Sequence, residues 1–449
     1  MAASYLAFCA VGVTILKELN AVVDQPYMDE PFHISQAQAY CRGDFATWDP
    51  KITTPPGLYI MSLLLKRIFL FKCNIPMLRL TTLLSLLALP IALTRLVCYH
   101  KRERPPASIM TPVLEAIVLA AFPIAWFFGF LYYTDVPSLL FVVATISAAT
   151  EDQHWLAALV GLISCTFRQN NIVWVMYAYA LSQLTYLRFR RVKPNLSPAK
   201  LHDPPALHAS VADLSRVARS LPGVLPDILP SFLPYLLVLL AFGAFIIWNG
   251  GIVLGDKSNH IPAFHIPQLY YFIAIATFFG WPALVSGPQG VLNLIHDVSK
   301  RIRALITVVV VGVMGITTRL FTIHHPFLLA DNRHYTFYLW RRVYMFHPLV
   351  PYLLVPIYLA CGWAWFLRVG RDQSLLQTLL LPIMVIPTLL PTPLLEPRYF
   401  LIPYILLRAQ MADVSTWGLA LEGVWYTLIN AVTMGVFLYY SRGDIRFMW

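Results

Sequence analysis

Two adjacent carboxylates, Asp29 and Glu30, follow the first long apolar run of the chain and could perform acid–base chemistry. A carboxylate at the edge of a hydrocarbon layer is partly desolvated, and such a group can accept a proton from a hydroxyl nucleophile. The same residues could instead stabilise the N-terminus of a short interfacial helix, because that end of a helix favours negative charge. The spacing does not separate these two interpretations, and they are compatible.

A second candidate cluster begins at Asp331 and combines acidic, basic and aromatic side chains. Asn332, Arg333, His334 and Tyr335 follow directly. Guanidinium groups match phosphate oxygens with two parallel hydrogen bonds, so Arg and His beside a membrane suit a lipid-borne phosphate or pyrophosphate. The alternative is an aromatic belt at the membrane surface, with arginines that extend toward water.

Other polar side chains stand near the ends of apolar runs and are further candidates for substrate binding. They are His33, Gln36, Trp48, Asp49, Tyr133, Asp135, Arg168, Asp256, Lys257, Glu396 and Arg398. Each has a structural alternative, namely a helix cap, a turn or an ion pair between elements. The sequence has no D-x-D, GxxxxGK[ST], HExxH or GxSxG motif, and its histidines lack the close spacing of metal ligands. We therefore expect no metal and no cofactor.

The composition indicates which elements position these residues. Of 449 residues, 12% are charged and 58% are hydrophobic, whereas soluble domains carry about 25% charged residues. This excludes a soluble enzyme, a disordered chain and a nucleic-acid-binding domain. The net charge of +11 comes from Lys and Arg residues between apolar runs, where they orient loops toward the cytoplasm. The sequence thus predicts an all-α polytopic membrane protein.

The apolar runs predict about 13 membrane spans, since a helix needs about 20 residues to cross a bilayer. The runs lie at about 5–23, 80–98, 108–131, 136–150, 154–167, 172–187, 230–248, 267–287, 304–323, 350–367, 375–391, 399–412 and 421–440. The first is interpreted as an uncleaved span rather than a signal peptide. Residues 55–71 are also apolar but end in basic residues. If these residues form an interfacial or re-entrant helix, the main basic clusters all lie on one side of the membrane. That side is then the cytoplasmic one.

This topology divides the chain into three parts. Residues 1–187 form an N-terminal transmembrane module with a luminal loop at 24–79, residues 188–229 a cytoplasmic connection, and residues 230–449 a C-terminal transmembrane module. Most candidate site residues then lie on the luminal side. Asn195, in the one glycosylation sequon, lies in the cytoplasmic connection and is expected to be unmodified. Cys41 and Cys73 share the luminal side, where a disulfide between them could form.

Several segments together resemble the endoplasmic-reticulum (ER) α-1,2-glucosyltransferases of N-glycan precursor assembly. They are MDEPFHISQAQAYC, WDPKITTPPGLY, FFGFLYYTDVPS, FRQNNIVW, NGGIVLGDKSNH, HIPQLYYF, LLADNRHYTFY and LEPRYFLIPY. The resemblance runs from residue 27 to the segment Arg446–Trp449 and so covers the whole chain. One departure is Pro397 between Glu396 and Arg398, where a bulkier residue is expected in relatives.

The resemblance implies a GT-C glycosyltransferase fold in the ER membrane, with the active site facing the lumen. It implies dolichyl-phosphate glucose as donor and the lipid-linked oligosaccharide Glc2Man9GlcNAc2-PP-dolichol as acceptor, and a single inverting displacement that forms the terminal α-1,2-linked glucose. In such enzymes an acidic residue of the first luminal loop acts at the acceptor hydroxyl. Asp29 is favoured as this base, and Glu30 as its partner or as a contact to the acceptor sugar.

The remaining expectations concern phosphate and partners. From charge and location alone, the donor phosphate would be held by Arg333, His334 and Arg398, with Arg168 and Lys257 behind them. Besides the donor and the acceptor, we expect membrane lipid as a partner, and we expect no binding of nucleic acid. Phosphate is a good leaving group when fixed cations meet its charge, so the chemistry does not require a metal.

Three alternatives stay open. One is another dolichyl-phosphate-sugar transferase that adds mannose or an earlier glucose; the others are a lipid transporter or scramblase and a non-catalytic scaffold. A transporter often carries internal repeats and ionisable groups in mid-span. Here the span charges are few, mainly Lys17, Glu18, Glu115 and Glu422, and the polar clusters lie at one face. This arrangement favours interfacial chemistry.

Overall fold

The described part of the chain is helical. The computed structural model describes residues 2–190, 200–258, 261–303, 305–441, 443 and 445–449. These residues contain no β-strand, and extended backbone pairs in two isolated bridges, Pro205 with Ser374 and His334 with Met448. The predicted all-α class is confirmed. The sequon residue Asn195, and Asn259 and His260 of the quoted segments, lie outside the described residues.

The helices follow one another along the chain, with short 3-10 and π-helical turns between some of them. They are α1 (Ala2–Val22), α2 (Glu30–Arg42), α3 (Gly57–Phe69), α4 (Ile75–Lys101), α5 (Leu114–Ala120), α6 (Pro123–Phe128), α7 (Asp135–Thr150), α8 (His154–Cys165), α9 (Asn171–Phe189), α10 (Val211–Ile228), α11 (Leu233–Asn249), α12 (Pro267–Val285), α13 (Gly290–Ile302), α14 (Leu305–Phe321), α15 (Pro326–Ala330), α16 (Tyr335–Leu339), α17 (Val350–Leu353), α18 (Val355–Val369), α19 (Leu375–Leu389), α20 (Leu401–Ala409) and α21 (Thr416–Tyr439).

Among the described residues, six helical segments are long and apolar enough to cross a membrane. They are Ala2–Val22, Ile75–Lys101, Val211–Asn249, Pro267–Val285, Val350–Val369 and Thr416–Tyr439. A seventh would combine α13 and α14, which meet at a bend of 82°. The multi-pass membrane class is supported, and the finer count of about 13 spans stays a prediction. Several predicted spans form helices shorter than the roughly 20 residues that an untilted crossing requires.

Proline and glycine explain where helices break or approach closely. The run predicted at 108–131 forms two short helices, because Pro123 lacks a backbone N–H and begins the second one, α6. In the core, α7 packs against α4, α8 and α9. Gly161 of α8 permits the approach of α9, since a Cβ at this position would lie 2.8 Å from Val175 Cγ2. These contacts form the helical scaffold behind the loop that carries Asp29.

The loop between α1 and α4 contains α2 and α3, which pack on each other. Helix α3 has 13 residues and a length of about 20 Å, too short for a hydrocarbon layer of about 30 Å. Its assignment as an interfacial or re-entrant helix stays a prediction. A disulfide joins Cys41, near the end of α2, to Cys73, just before α4. Gly57 begins α3 against the turn after α8, where an added Cβ would lie 2.4 Å from Thr166 Oγ1.

The connection predicted at 188–229 is partly helical. Helix α10 begins with a capping box in which Ser210 and Asp213 bond reciprocally, and it continues through a 3-10 turn into α11. One side of α10 buries Val217 and Val224, while most of its remaining residues are exposed. The predicted division into two membrane modules and a connection stays a prediction.

Candidate active site

One cavity of about 250 Å³ brings together six of the acidic or basic candidates. Its walls come from the start of α2, the segment after α6, the α15–α16 region, the residues before α20 and the last residues of the chain. The polar residues that line it are Asp29, Tyr133, Asp331, Arg333, His334, Thr336, Glu396 and Arg398. Three of the sequence clusters therefore meet at one place.

Asp29 is the carboxylate that faces this cavity. It is the residue before α2, and its side chain is 42% exposed. Its backbone N–H donates to the Tyr133 hydroxyl at 3.1 Å, and its Oδ2 accepts from Arg398 Nη1 at 3.2 Å. The preceding Met28 has a φ of 59°, a left-handed conformation that is unusual for a non-glycine residue. This turn and the Tyr133 contact fix the backbone from which the Asp29 carboxylate extends.

Glu30, in contrast, is fully buried and does not line the cavity. Its Oε1 accepts from Arg79 Nε at 2.9 Å and from the Tyr132 N–H at 2.8 Å. Its Oε2 accepts from Arg79 Nη2 at 2.6 Å and from the Tyr27 N–H at 3.0 Å. Two donors on each oxygen leave little capacity for a substrate. These contacts of Glu30 thus anchor the loop that carries Asp29.

Arg79 is a supporting residue that the sequence did not single out. It lies in α4, is fully buried, and also donates to Asn20 Oδ1 at 3.2 Å, to the Val23 carbonyl at 2.6 Å and to the Gln25 carbonyl at 3.2 Å. An arginine inside an apolar helix needs a partner, because an isolated charge in a membrane protein is costly. That requirement was the signal in the sequence that could have linked Arg79 to Glu30.

Arg398 connects the carboxylates at the centre of the cavity. Its Nε donates to Glu396, its Nη1 reaches Asp29, and its guanidinium lies 5.7 Å from the Tyr133 ring and 6.0 Å from the Phe128 ring. Burial by itself would raise the pKa of Glu396, but the charge and hydrogen bond of Arg398 bring that pKa below its ordinary value. Glu396 is therefore an ionised partner of Arg398, and Pro397 between them does not prevent the pair.

Arg333 forms the cationic side of the cavity, with His334 beside it. Asp331 Oδ1 accepts from the Arg333 backbone N–H at 3.0 Å and from Arg333 Nε at 2.8 Å, and Oδ2 accepts from Nη2 at 2.7 Å. His334 Nε2 is 3.7 Å from Asp331 Oδ2. Burial would raise the pKa of Asp331, but the bonds from Arg333 lower it overall. Arg333 remains 39% exposed, which leaves part of its guanidinium available to an anion.

The model of the DIE2/ALG10 family matches residues 23–409 of this chain. The chain belongs to this family. Among curated proteins, a human relative is 34% identical, with 98% of this chain and 96% of the relative covered. A rat relative is 35% identical with 98% and 96% covered, and an Arabidopsis thaliana relative is 31% identical with 96% of each covered. All three are named Dol-P-Glc:Glc(2)Man(9)GlcNAc(2)-PP-Dol alpha-1,2-glucosyltransferase. No solved structure matches the chain.

The DIE2/ALG10 match includes most of the cavity but ends before two of its lining residues, Met448 and Trp449. Both residues belong to the segments that resemble the glucosyltransferases, but the sequence predicts no role for their side chains. Phe128 also lines the cavity and was not predicted. Apolar and aromatic residues of this kind carry no local signal of substrate contact, because the same types fill the core.

Asp135 and Arg168 form a second, smaller polar group behind Arg398. Arg168 Nη2 lies 2.6 Å from Asp135 Oδ1, and this pair lines a small cavity of about 20 Å³ together with Arg398 and Tyr399. Asp135 Oδ2 and Arg168 Nε are both buried without a hydrogen-bond partner in the described residues. Arg168, a second-choice candidate for the donor phosphate, is thus paired with Asp135, and its contact with phosphate stays a prediction.

The first-loop candidates that follow Glu30 support the loop and do not line the cavity. His33 Nδ1 is 2.6 Å from the Tyr59 hydroxyl, and burial lowers the pKa of His33 to about 4. Gln36 donates to the Thr47 carbonyl at 2.7 Å and accepts from the Asp49 N–H at 2.9 Å. Trp48 Nε1 donates to the Ile52 carbonyl at 3.2 Å, and Asp49 Oδ1 accepts from the Lys51 N–H at 2.9 Å.

The other candidates also lie outside the cavity. The Asp256 N–H donates to the Pro50 carbonyl at 2.7 Å, and Lys257 Nζ donates to the Asn249 carbonyl. Asn332 is exposed on the outer side of the Asp331–Arg333 turn, and the Tyr335 ring packs 5.2 Å from that of Trp449. No group of three or more His, Cys, Asp or Glu residues that could hold a metal occurs in the described ranges.

Proposed function

We propose that this chain transfers glucose from dolichyl-phosphate glucose to Glc2Man9GlcNAc2-PP-dolichol and forms the terminal α-1,2-linked glucose. The activity is the one in the names of the relatives, which align with nearly the whole chain. The observation that carries the proposal in the structure is the cavity that Asp29, its most exposed carboxylate, lines together with Arg333, His334 and Arg398.

The proposed reaction is a single displacement with inversion at the donor glucose. Asp29 accepts the proton of the 2-hydroxyl of the acceptor's terminal glucose, while the oxygen of that hydroxyl attacks C1 of the donor glucose. The bond between C1 and the phosphate oxygen breaks, and its electron pair leaves with dolichyl phosphate. Positioned general bases of this kind contribute about 10²- to 10⁴-fold to a rate.

The cations of the cavity stabilise the leaving phosphate. Arg333, with its partly exposed guanidinium, and His334 offer donors on one side, and Arg398 offers its charge next to Asp29. Fixed cations in a site that excludes water stabilise developing negative charge without reorganisation. Arg398 touches both carboxylates and so links the position of the base to the position of the phosphate.

We propose further that the cavity faces the ER lumen within a GT-C fold of about 13 spans, built from modules 1–187 and 230–449. The basic clusters of the sequence support a cytoplasmic location for the side of the membrane opposite the cavity. The disulfide between Cys41 and Cys73 supports the same orientation, because disulfides persist in oxidising compartments such as the ER lumen. The lipid tails of both substrates would lie in the membrane, which makes its surface the natural place for the reaction.

The test is transfer by the purified protein in detergent or liposomes, with the donor and the acceptor that already carries two glucoses. Wild-type protein should add one glucose that an α-1,2-specific glucosidase removes. Asp29→Asn should reduce the rate about 10²- to 10⁴-fold. Asp24→Asn is the matched control, because Asp24 is an exposed carboxylate of the same loop outside the cavity.

Two outcomes would overturn the proposal. Absence of transfer by folded wild-type protein, with intact substrates, would refute the activity, and a parallel reaction with dolichyl-phosphate mannose would reveal a different sugar specificity. Full activity of Asp29→Asn would retain the enzyme but reject Asp29 as its base.

A further inference from the structure

The residues Ile445–Trp449, called the 445–449 segment below, connect the two sides of the cavity. On one side the Tyr27 hydroxyl, two residues before Asp29, donates to the Arg446 carbonyl at 2.6 Å and accepts from the Arg446 N–H at 2.8 Å. On the other side the Met448 N–H donates to the Arg333 carbonyl at 2.9 Å, and the Tyr335 N–H donates to the Met448 carbonyl at 3.1 Å. The segment is thus bonded to the base-bearing loop and to the phosphate-binding loop.

Arg446 anchors this segment to two helix ends. Its Nη1 donates to the carbonyls of Phe437 and Leu438, both at 2.8 Å, and its Nη2 donates to the Val22 carbonyl at 3.3 Å. These carbonyls belong to the last turns of α21 and α1, where backbone acceptors lack intrahelical partners and a positive charge is favoured. One guanidinium therefore fixes the segment relative to both helices.

Trp449 completes the wall of the cavity. It lines the cavity together with Met448, and its ring lies 5.2 Å from that of Tyr335 and 5.8 Å from that of Phe279. The His334 Nδ1 is 2.8 Å from its backbone oxygen. The aromatic contacts fix the ring, and the His334 contact places the backbone of Trp449 next to the cationic side of the cavity.

We propose that the 445–449 segment is a working part of the substrate site. Arg446 is a positioning residue that sets the spacing between Asp29 and the Arg333–His334 pair, and the Trp449 ring is the wall against which a sugar of the donor or the acceptor lies. This inference rests on the proposed function, because it assigns parts of the same site.

Arg446→Ala tests the positioning role. The variant should lower kcat at least 10-fold per folded molecule, while Arg446→Lys, which keeps a donor and the charge, should recover part of the loss. Hydrogen exchange should accelerate at the Tyr335 and Met448 amides and remain unchanged in helices such as α7. Arg319→Ala, at an exposed arginine outside the cavity, is the matched control and should behave as wild type.

Trp449→Ala tests the wall. The KM of one sugar substrate should rise about 10-fold, and the substrate whose KM rises identifies which sugar the ring contacts. Trp449→Phe should retain most of the affinity because it keeps an aromatic face. Trp417→Phe makes the same exchange at an exposed tryptophan outside the cavity and should have no effect.

Several results would overturn the inference while wild-type transfer is intact. These are unchanged kcat in Arg446→Ala, accelerated exchange throughout the protein rather than at the Tyr335 and Met448 amides, or unchanged KM for both substrates in Trp449→Ala. The exchange measurement needs no activity, so it separates this inference from the proposed function. If the wild-type protein performs no transfer, that result refutes the proposed function. Hydrogen exchange in Arg446→Ala still tests whether Arg446 positions the segment.

Discussion

Breaking the buried pair of Glu30 and Arg79 should destabilise the protein far more than breaking an exposed pair on the same helix. Both side chains are fully buried and are joined by hydrogen bonds of 2.9 and 2.6 Å. Removing one partner of such a pair costs about 3–5 kcal/mol, because the other charge is left uncompensated. Arg79→Met belongs at the upper end of this range, since oxygens of Asn20, Val23 and Gln25 also lose their donor.

The matched control for this prediction is Arg95→Met. Arg95 also lies in α4 and reaches Glu151 at 2.8 Å, but the two side chains are 51% and 33% exposed. Exposed ion pairs contribute about 0–1 kcal/mol, so this variant should unfold almost as wild type does. The measurement is the free energy of unfolding by denaturant in detergent, with the thermal midpoint as a second readout. Equal, small losses in Arg79→Met and Arg95→Met would refute the reasoning.

A double variant of the pair and single substitutions of the two carboxylates provide further tests. Glu30→Leu combined with Arg79→Met should recover much of the lost stability, because no uncompensated buried charge remains. Asp29→Asn should change stability by no more than about 0.5 kcal/mol, as expected for a half-exposed side chain, although it should lower the rate of transfer about 10²- to 10⁴-fold. If Glu30→Gln lost transfer at unchanged stability, Glu30 would be the group that acts on substrate.

Three further predictions concern the loop that carries Asp29. Replacing both Cys41 and Cys73 by Ser should reduce the free energy of unfolding by about 2–4 kcal/mol, and the loss should equal that of reduced wild type. Gly57→Ala should lower the thermal midpoint, because its Cβ would lie 2.4 Å from Thr166 Oγ1, whereas Gly362→Ala, with open space around it, should not. The pKa of His33 is lowered to about 4 by burial, below its unfolded value of about 6.5, so the unfolded state binds more protons between these pH values. Stability should therefore fall as the pH decreases from about 6.5 to 4, and His33→Gln should reduce that fall in denaturant titrations.

The helices could be predicted well from the sequence, because the apolar runs are long and charged residues separate them. The first run predicted, 5–23, corresponds to α1 (Ala2–Val22), and 80–98 lies within α4 (Ile75–Lys101). Span lengths could not be predicted equally well. Breaks at positions such as Pro123 depend on backbone geometry and on packing against neighbouring helices, which a hydropathy average does not contain.

The candidate site was predictable where several charges cluster locally and not where a partner comes from a distant segment. Asp29, Arg333 and Arg398 lie in polar loops, and the structure brings them to one cavity. Arg79 stands just before the predicted apolar run 80–98, within α4, and its contact with Glu30 spans 49 positions of the chain. Gln36 and its neighbours in the first loop were predicted to bind substrate, but they form hydrogen bonds within that loop. Buried backbone groups need such partners, and the sequence does not show which side chains provide them.

The bond between Tyr27 and Arg446 joins positions 419 residues apart, which has a consequence for synthesis of the protein. At about 5–20 residues per second, translation needs roughly 20–80 s to deliver Arg446 after Tyr27 has been made. During that interval a nascent chain carries Asp29 without its partner segment. With the role proposed above for the 445–449 segment, the site around Asp29 becomes complete only after α21 has been synthesised.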